Sequence, residues 1–494
     1  MENLTLEIKN MALSFGNKAI LSIEHAAAYQ NERIGIVGRN GQGKTTLLNL
    51  IAGSIEPDYG DVKQKVTFNY FKQIEEFREV SANDELDAEM MSRMGVPQNT
   101  DQSLSGGEET KLRLTRILSN YQMGLLMDEP TTHLDEKSIQ FLIDELEYYY
   151  GTMIIVSHDR YFLDQLVSKI WEVDNGQLTE YTGNYSDYIE QKEQQKLEAN
   201  REAEKIAKEK NRLEQAVEQK KKQAAKMNTV SAKNKKRNIK PDRLSSSKQK
   251  DTVQKAVQKS AKALESRIKQ LGDVELEGDL KPISFPTSEE LEMHNRFPIR
   301  GESVTLEAGD KRLLEKVDFQ FPLGKRIAIT GDNGSGKSTL LKYILNHGEG
   351  IILSPKVVFQ TYQQMDYKFS QENSVLDYLL KQTEYPENTV RAILNNLGFT
   401  QTEISKPLAA LSGGEATRIA MAVLFVKPSN VLVLDEPTNF IDIQTIEALE
   451  GFIQSYPGTV LFTSHDKYFT EKTANQIWKI ENKKLVLKKG DLLY

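Results

Sequence analysis

The chain has 494 residues, a formal net charge of −7 and no cysteine. This length allows roughly two to four domains with sizeable cores, and the absence of cysteine excludes disulfide scaffolds and thiolate metal sites. No apolar run approaches the roughly 18 residues that a membrane helix needs, and no secretory signal is expected at the N-terminus. The default expectation is a cytoplasmic protein.

Short aliphatic runs alternate with helical patterns in residues 1–183, and the same alternation returns in residues 298–494. Such runs are typical of buried strands in a largely parallel sheet, so the expected fold class is α/β, with two similar domains at these two ranges. The runs lie at residues 33–37, 124–127 and 153–156 in the first half and at 325–330, 431–434 and 459–463 in the second.

A glycine-rich segment follows the first of these strands in each half and is expected to open a helix. Its backbone N–H groups can wrap a phosphate, its lysine can reach the β- and γ-phosphates, and the next hydroxyl can bind Mg²⁺. ATP and Mg²⁺ are therefore the expected ligands. The candidate residues are Gly38, Asn40, Gly41, Gly43, Lys44, Thr45 and Thr46 in the first half and Gly331, Asn333, Gly334, Gly336, Lys337, Ser338 and Thr339 in the second.

An aspartate followed by a glutamate ends another strand in each half. The aspartate suits Mg²⁺, through water, and the glutamate can orient and polarise the water that attacks the γ-phosphate. A histidine follows a later strand and a serine, where its imidazole can contact the γ-phosphate. The carboxylate pairs are Asp128 with Glu129 and Asp435 with Glu436; the candidate catalytic residues are these glutamates with His158 and His465.

The corresponding motifs are separated by a constant distance. Glu129 and Glu436 are 307 positions apart, and so are His158 and His465. A period this long indicates two whole domains rather than a solenoid of small units. Two nucleotide-binding domains in one chain can close on each other around two ATP molecules.

Three further positions are candidates for contact with nucleotide or metal. Gln73 and Gln364 each follow a strand that comes after the helix opened by the glycine-rich segment, or P-loop. An amide at this place can sense Mg²⁺ and the attacking water. Phe15 can stack on adenine, with packing against the protein as the alternative. Alignment of the two halves puts Ala308 opposite Phe15, so the second site is expected to lack this aromatic platform.

Residues 184–297, between the two domains, are expected to form an antiparallel helical hairpin. The segment Tyr188–Ala225 contains no Gly or Pro, and two apolar stripes lie on either side of a break. Facing stripes favour paired helices, and the alternative is a solvated, charged linker. The stripes are Ala199, Ala203, Ile206, Leu213 and Val217, and then Val253, Val257, Leu264, Ile268 and Leu271.

The tip of this hairpin, at about residues 220–250, is strongly basic. A basic cluster on an acidic protein indicates a polyanion partner, although a solvated loop is the alternative. Pro241 and the serines at 245–247 are expected to break any helix there. The candidate tip residues are Met227, Val230, Lys233, Lys235, Lys236, Arg237, Ile239, Lys240, Arg243 and Leu244.

A Ser-Gly-Gly sequence at the expected start of a helix completes the motif set in each half: Ser105, Gly106 and Gly107, then Ser412, Gly413 and Gly414. With these motifs both halves resemble an ABC-type ATPase. The resemblance implies head-to-tail closure of the two domains. Site one then joins Lys44, Glu129 and His158 to Ser412 and Gly414, and site two joins Lys337, Glu436 and His465 to Ser105 and Gly107.

Two such domains joined by a charged hairpin resemble the ABC-F class of translation factors. Residues 240–248 and 437–442 look similar to the ribosome-protection proteins of Gram-positive bacteria, the Vga and Msr groups. The 31 positions from Gln73 to Leu104, against 47 from Gln364 to Leu411, leave no room for the extra arm of housekeeping members. The 29 residues after His465 leave little room for an extension.

The resemblance implies a monomeric ATPase with intramolecular domain closure, a 70S ribosome partner and no membrane partner. The ATP-bound form would enter the exit-tRNA site and contact large-subunit rRNA and peptidyl-tRNA. The hairpin tip would then promote loss of a lincosamide, streptogramin, pleuromutilin or macrolide drug. A housekeeping ABC-F factor is one alternative, and the ATPase subunit of a membrane transporter is another.

Overall fold

A computed structural model describes residues 3–16, 18–72, 88–94, 106–236, 256, 259–260, 262–271, 285, 291–309, 311–362, 369, 372–439 and 441–490, with backbone alone for 223–236. The chain divides into two compact units. The larger unit is Met1–Tyr188 with Leu280–Tyr494, and the smaller is Ile189–Asp279. Nowhere in the described parts is a helix both long and apolar enough to cross a membrane.

The first half of the larger unit alternates strands and helices, as the sequence predicts. It contains β1 (Leu4–Phe15), β2 (Lys18–Tyr29), β3 (Arg33–Val37), α1 (Lys44–Ile51), β4 (Tyr59–Gln64), β5 (Phe68–Phe71), α2 (Ala88–Met94), α3 (Gly106–Ser119), β6 (Gly124–Asp128), α4 (Glu136–Glu147), β7 (Thr152–Val156), α5 (Arg160–Leu166), β8 (Lys169–Asp174) and β9 (Gln177–Thr182).

The linker follows as α6 (Tyr185–Lys236) and α7 (262–270). The second half then repeats the pattern of the first. It contains β10 (Ile299–Ala308), β11 (Lys311–Phe321), β12 (Arg326–Gly331), α8 (Lys337–Leu345), β13 (Ile351–Leu353), β14 (Phe359–Tyr362), α9 (Val375–Leu380), α10 (Glu387–Asn396), α11 (Gln401–Ile404), α12 (Gly413–Val426), β15 (Val431–Asp435), α13 (Ile443–Ser455), β16 (Thr459–Thr463), α14 (Lys467–Thr473), β17 (Gln476–Glu481) and β18 (Lys484–Lys489).

A six-stranded sheet forms the centre of each half. The strand orders are β5-β6-β7-β3-β8-β9 and β14-β15-β16-β12-β17-β18. The pairs are parallel except for the final antiparallel pair, β8 with β9 and β17 with β18. A three-stranded antiparallel sheet accompanies each, in the orders β2-β1-β4 and β11-β10-β13.

The predicted α/β class and parallel strands are confirmed, and the six aliphatic runs form strands whose ends differ by at most one residue. The strands β6, β7 and β16 are buried along their whole length because helices cover both faces of a parallel sheet. The carboxyl ends of β3, β6 and β7 lie at one edge of their sheet, and those of β12, β15 and β16 do the same. This topology brings each half's sequence motifs together.

The smaller unit contains paired helices, as expected for a hairpin. The Lys221 ammonium lies 2.8 Å from the Glu265 carboxylate, and the Arg267 guanidinium lies 3.8 Å from Glu209. In the predicted first stripe, Ala203, Leu213 and Val217 are buried and Ile206 is half-buried, whereas Ala199 is exposed and was wrongly included. In the second stripe Leu264, Ile268 and Leu271 are half-buried, while Val253 and Val257 lie outside the described residues.

The helix α6 runs further than the sequence analysis expected. It continues to Lys236, so Met227, Val230, Lys233 and Lys235 lie on a helix rather than in a loop. The residues from 218 to 236 are dominated by lysine, alanine and glutamine, which have high helix propensity, and the first proline comes only at 241. The other tip candidates, Arg237, Ile239, Lys240, Arg243 and Leu244, lie outside the described residues.

Candidate ATP sites

Each glycine-rich segment forms a turn that places its lysine at the start of a helix. The residues Gly43 and Gly336 precede α1 and α8 with φ of 99° and 107°, a left-handed conformation that favours glycine. A Cβ on Gly43 would also lie 3.1 Å from the side chains of Ile20 and Leu21. The first turn of α1 holds Thr45 and Thr46, and that of α8 holds Ser338 and Thr339.

The two P-loop lysines are buried and bend back over their own loops. The Lys44 ammonium donates to the Gly38 carbonyl at 2.8 Å, and the Lys337 ammonium donates to the Gly331 carbonyl at 3.0 Å. Burial lowers the pKa of both lysines, and the acidic neighbour Glu129 or Glu436 opposes this shift. A phosphate inside the loop would give each buried ammonium a further anionic partner.

The predicted catalytic glutamate and histidine are neighbours in both halves. The His158 Nε2 atom lies 3.4 Å from a Glu129 carboxylate oxygen, and the His158 backbone N–H donates to the other oxygen at 3.2 Å. The corresponding distances between His465 and Glu436 are 3.3 and 3.2 Å. Both glutamates have positive φ, a costly backbone conformation for a non-glycine residue that occurs often at functional sites.

Burial dominates the electrostatics of these pairs. Burial raises the pKa of Glu436 to about 7, with the Lys337 charge opposing it, and raises the pKa of Glu129 for the same reason. Burial lowers the pKa of His465 to about 4 and lowers that of His158 too. Both imidazoles are therefore neutral at pH 7, and the raised pKa of each glutamate makes its ionised form a stronger proton acceptor.

The aspartates that end β6 and β15 differ in their polar contacts. In the second half, Asp435 accepts hydrogen bonds from Ser338 and Thr463, both at 2.8 Å. In the first half, both oxygens of the buried Asp128 carboxylate lack a well-formed hydrogen bond from the described residues. Burial raises the pKa of Asp128, and the Thr45 hydroxyl and the Lys44 charge oppose the shift.

These oxygens fit Mg²⁺, which prefers carboxylate and hydroxyl ligands. The buried oxygens of Asp128, which accept no well-formed hydrogen bond from the described residues, are the strongest sign, because a cation would offset their burial. Bound Mg²⁺ would neutralise charge on the β- and γ-phosphates. The residues that would hold it are Asp128 with Thr45 and Asp435 with Ser338. The other metal candidates, Gln73 and Gln364, lie outside the described residues.

The two halves contact each other head to tail at the P-loops. The Asn40 backbone N–H donates to the Asp442 carboxylate at 3.0 Å, and the Asn333 backbone N–H donates to Asp135 at 3.4 Å. The Asn333 side chain also donates to the His133 carbonyl at 3.0 Å. Each P-loop is therefore tied to the helix N-terminus that follows the carboxylate pair of the other half.

The Ser-Gly-Gly segments lie opposite these P-loops. A Cβ placed on Gly414 would lie 3.9 Å from Asn40, and one placed on Gly107 would lie 3.4 Å from the Asn333 amide. The glycines Gly106 and Gly413 begin α3 and α12. The Ser412 hydroxyl accepts from the Glu415 N–H and caps α12, while Ser105 lies outside the described residues.

A cavity of about 1170 Å³ lies at site one. Residues of both halves line it, among them Lys44, Glu129 and His158 from the first half and Gly413 and Gly414 from the second. Of the predicted members of site one, Lys44, Glu129, His158 and Gly414 line this space, whereas Ser412 does not. The remaining loop glycines, Gly41 and Gly334, have φ of 79° and 69° in the two P-loop turns.

The aromatic candidate Phe15 lies at the edge of this cavity, and its side chain is 54% exposed. It ends β1 and pairs with Lys18, just as Ala308 ends β10 and pairs with Lys311. The structural equivalence of Phe15 and Ala308 follows from this register. An exposed aromatic ring at a cavity mouth favours stacking on a ligand over packing within the protein.

Sequence reasoning missed the residues that join the two halves. The Asp135 and Asp442 side chains cap α4 and α13 by accepting from Ser138 and Thr445. A second oxygen of each carboxylate contacts the opposite P-loop. An aspartate three positions before a serine or threonine is a readable helix-start signal, but it does not indicate the contact with the other half.

Family models match both halves. The family model described as ABC transporter matches residues 21–132 and 314–439, and a further model with that description matches residues 171–240. Both matched parts of the first model contain the P-loop and the carboxylate pair described above.

Known relatives are similar over nearly the whole chain. The erythromycin resistance ATP-binding protein MsrA of Staphylococcus epidermidis is 43% identical over 97% of this chain and 98% of its own. The ribosome protection protein VmlR of Bacillus subtilis (strain 168) is 34% identical over 96% of this chain and 86% of its own. The solved structure of RNase-L Inhibitor has a TM-score of 0.63 at 17% identity, covering 95% of this chain and 87% of that one, and so shares the fold.

Proposed function

Because the chain belongs to the ABC-F family of ATPases, we propose that it is an ATP-gated ribosome-binding protein that confers antibiotic resistance. The observation that carries the gating is the reciprocal contact between each P-loop and the other half, through Asn40 with Asp442 and Asn333 with Asp135. One chain thus supplies both partners of both sites, and it acts as a monomer.

ATP holds the two domains together in this proposal. Its phosphates bind the lysine and backbone of one P-loop, and the γ-phosphate also contacts the glycines of the opposite Ser-Gly-Gly segment. The residues Glu129 and Glu436 orient the attacking water. Loss of the γ-phosphate removes the bridge, so hydrolysis opens the domains and releases the ribosome.

The paired helices supply the contact with the ribosome. The helix α6 has 52 residues, which at about 1.5 Å each extend about 78 Å. Its last part and the residues beyond it are rich in lysine, which neutralises phosphates. The closed protein occupies the exit-tRNA site in the cytoplasm, and its tip reaches past rRNA toward peptidyl-tRNA.

The drug displaced lies at the peptidyl-transferase centre or in the exit tunnel. The relative MsrA is an erythromycin resistance protein, so macrolides are the first class to test, followed by lincosamides, streptogramins and pleuromutilins. The experiment compares drug susceptibility of a host with and without the chain. Protection against at least one class is expected; protection against none, with ribosome binding intact, would favour a housekeeping ABC-F factor.

The transporter alternative differs in where the protein binds. Sedimentation of cell extracts separates ribosomes from membranes, and we expect the chain with ribosomes in the presence of ATP. Recovery with membranes would contradict the proposal. The basic, extended linker favours ribosome binding over transport, because the ATPase subunit of a transporter does not need such a linker.

Different residues of the tip should determine ribosome affinity and drug release. Replacing Lys233, Lys235, Lys236 and Arg237 with Ala should lower ribosome affinity and flatten its dependence on salt, because fewer counterions are released. A matched control replaces four exposed basic residues nearer the start of α6, which should have a much smaller effect. These control residues are Arg201, Lys205, Lys208 and Arg212.

The apolar tip residues should act differently. Shortening Met227, Val230, Ile239 or Leu244 to Ala removes packing but no charge, so resistance should fall while ribosome affinity stays nearly intact. Affinity and drug susceptibility are measured on each variant. Equal loss of affinity in the basic and apolar sets, or resistance that survives deletion of residues 228–244, would contradict this division.

A further inference from the structure

A buried ion pair joins the two halves directly after the site-one histidine. Arg160 follows His158 and Asp159 and begins α5. Its guanidinium contacts the Glu450 carboxylate on α13 of the other half, and both residues are 2% exposed. Two charges removed from water to this extent stabilise each other, because removing either one leaves the other with only its remaining neighbours to compensate its burial.

The surroundings of this pair come mainly from the second half. The Lys472 ammonium lies 2.8 Å from the other Glu450 oxygen, and the Asp466 carboxylate lies 3.7 Å from Arg160. The Arg160 guanidinium also lies 4.3 Å from the centre of the Tyr468 ring. Arg160 therefore lies among anionic and aromatic groups of the opposite half.

The reciprocal contact is not built in the same way. The counterpart of Arg160 is Lys467, 307 positions later, and the counterpart of Glu450 is Ile143. The Lys467 ammonium lies 5.0 Å from the centre of the Tyr161 ring. The position that corresponds to Glu450 holds the apolar side chain of Ile143, so it offers no carboxylate to Lys467. The two halves thus meet at α5 and α14, but only the Arg160 side forms a buried ion pair with Glu450.

The pair is connected to site one through a short, fixed segment. The His158 backbone N–H donates to Glu129, the Asp159 N–H donates to Ser157 at 3.1 Å, and the Asp159 carboxylate caps α5. Movement of Arg160 therefore displaces the segment that holds the imidazole against Glu129.

We propose that Arg160 is a positioning residue whose ion pair with Glu450 latches the second domain to the catalytic segment of site one. The latch makes hydrolysis at site one depend on correct docking of the second domain, and the described residues around site two form no equivalent buried pair. The proposal rests on the catalytic roles proposed above for Glu129 and Glu436.

The kinetic test uses variants that leave one site active. In a Glu436→Gln background, Arg160→Met should lower kcat for ATP about tenfold with KM changed less than twofold. In a Glu129→Gln background the same change should alter kcat less than twofold. Arg160→Lys should recover part of the loss, and the matched control Lys467→Met should stay within twofold in both backgrounds. Equal losses in both backgrounds would overturn the proposal.

A second variant separates the latch from simple stability. The double change Arg160→Met with Glu450→Met removes both buried charges, so its Tm should recover relative to either single change. The site-one kcat should nevertheless stay low, because the link between the domains is still missing. Recovery of kcat together with Tm would mean that the pair is only structural, which contradicts the proposal.

Domain closure is measured independently of the catalytic glutamates. The chain has no cysteine, so spin labels can be placed on Tyr59→Cys and Val358→Cys, which are exposed positions in the two halves. With a non-hydrolysable ATP analogue, Arg160→Met should broaden the interdomain distance distribution, and Lys467→Met should not. An unchanged distribution would overturn the latch. If the single Gln changes left ATPase activity unaltered, the catalytic assignment would fail, and the distances would still decide on the latch.

Discussion

The two ATP sites share one plan but differ in how they support their carboxylates. In site two, the Thr463 hydroxyl donates to Asp435 and accepts from the Glu436 backbone N–H. In site one, Val156 occupies the position of Thr463, and the Glu129 N–H donates to its carbonyl instead. Among the described residues, Asp435 thus accepts two well-formed hydrogen bonds from the protein, whereas Asp128 accepts none.

The strand end that is predicted to contact adenine also differs between the two sites. Site one has the exposed ring of Phe15, and site two has Ala308 at the same strand end. Site one therefore has more to gain from bound nucleotide and metal. We expect the sites to bind ATP with unequal affinity, and the following predictions test this difference.

The largest effect should come from the catalytic glutamates. Changing Glu129 to Gln should slow hydrolysis at site one by about 100-fold, and Glu436→Gln should do the same at site two, since each removes the group that accepts the proton of water. Single-turnover hydrolysis and ATP binding are measured on each variant. ATP binding should survive; a parallel loss of binding would show that the residue is not specific to the chemical step.

The next effect concerns adenine. Changing Phe15 to Ala should weaken nucleotide binding at site one by about 1–3 kcal/mol, if stacking there resembles base–aromatic stacking elsewhere. The matched change Ala308→Phe should strengthen site two. Fluorescent nucleotide titrations of variants with one binding site can resolve the two affinities. If Phe15→Ala left the nucleotide affinity of site one unchanged, Phe15 would have a packing role instead.

A smaller effect should appear in the pH dependence of stability. Burial raises the pKa of Asp159 to about 7 from its ordinary value of 3.8. The folded protein therefore holds this proton more tightly, so the stability that protonated Asp159 contributes is complete below about pH 4 and is lost as the pH rises to about 7. Because Asn cannot ionise, Asp159→Asn should raise Tm relative to the wild type more at pH 8 than at pH 5.

The counterpart Asp466 provides the control for this effect. Burial raises its pKa as well, but Arg160 is the strongest opposing influence. Asp466→Asn should therefore gain less at pH 8 and should weaken the contact with Arg160. Scanning calorimetry at both pH values without nucleotide gives the comparison. Equal gains for the two variants would contradict the assigned environments.

The smallest effect should come from making site two resemble site one. Thr463→Val removes the hydroxyl that donates to Asp435 and accepts from the Glu436 N–H. Because that N–H can donate to the carbonyl of residue 463 instead, as in site one, the net cost should be about 1 kcal/mol in the free energy of unfolding, the usual value of one hydrogen bond. The reverse change, Val156→Thr, should cost less, because Asp128 can accept the new hydroxyl. Urea unfolding of both variants tests this order, and a greater loss for Val156→Thr would contradict it.

The sequence was a good guide to what is local. The strands around Lys44, Asp128 and His158 were predictable because each aliphatic run leads directly into a motif with its own chemistry. The same reasoning predicted the parallel sheets and the repeat, and the structure confirms both. The roles of individual site residues stay predictions, since neither the fold nor the family match tests them one by one.

Contacts between the halves could not be predicted in the same way. The Arg160–Glu450 pair joins positions 290 apart, and its formation depends on how two finished domains meet. The end of α6 at Lys236 was also missed. The basic charge of that segment favoured a solvated loop, whereas its high helix propensity favours the helix that the structure has. The local sequence pattern thus predicts the fold of each domain, whereas the contacts between the domains depend on how the folded domains pack together.

The most direct measurement of the central claim is ribosome binding by the double variant Glu129→Gln with Glu436→Gln. Both ATP sites can then bind nucleotide but cannot complete hydrolysis, so the closed form should accumulate. Sedimentation with 70S ribosomes should recover the variant in the pellet with ATP and leave it free with ADP, and its expression should inhibit translation. Failure to bind ribosomes with ATP would contradict ATP-gated ribosome binding.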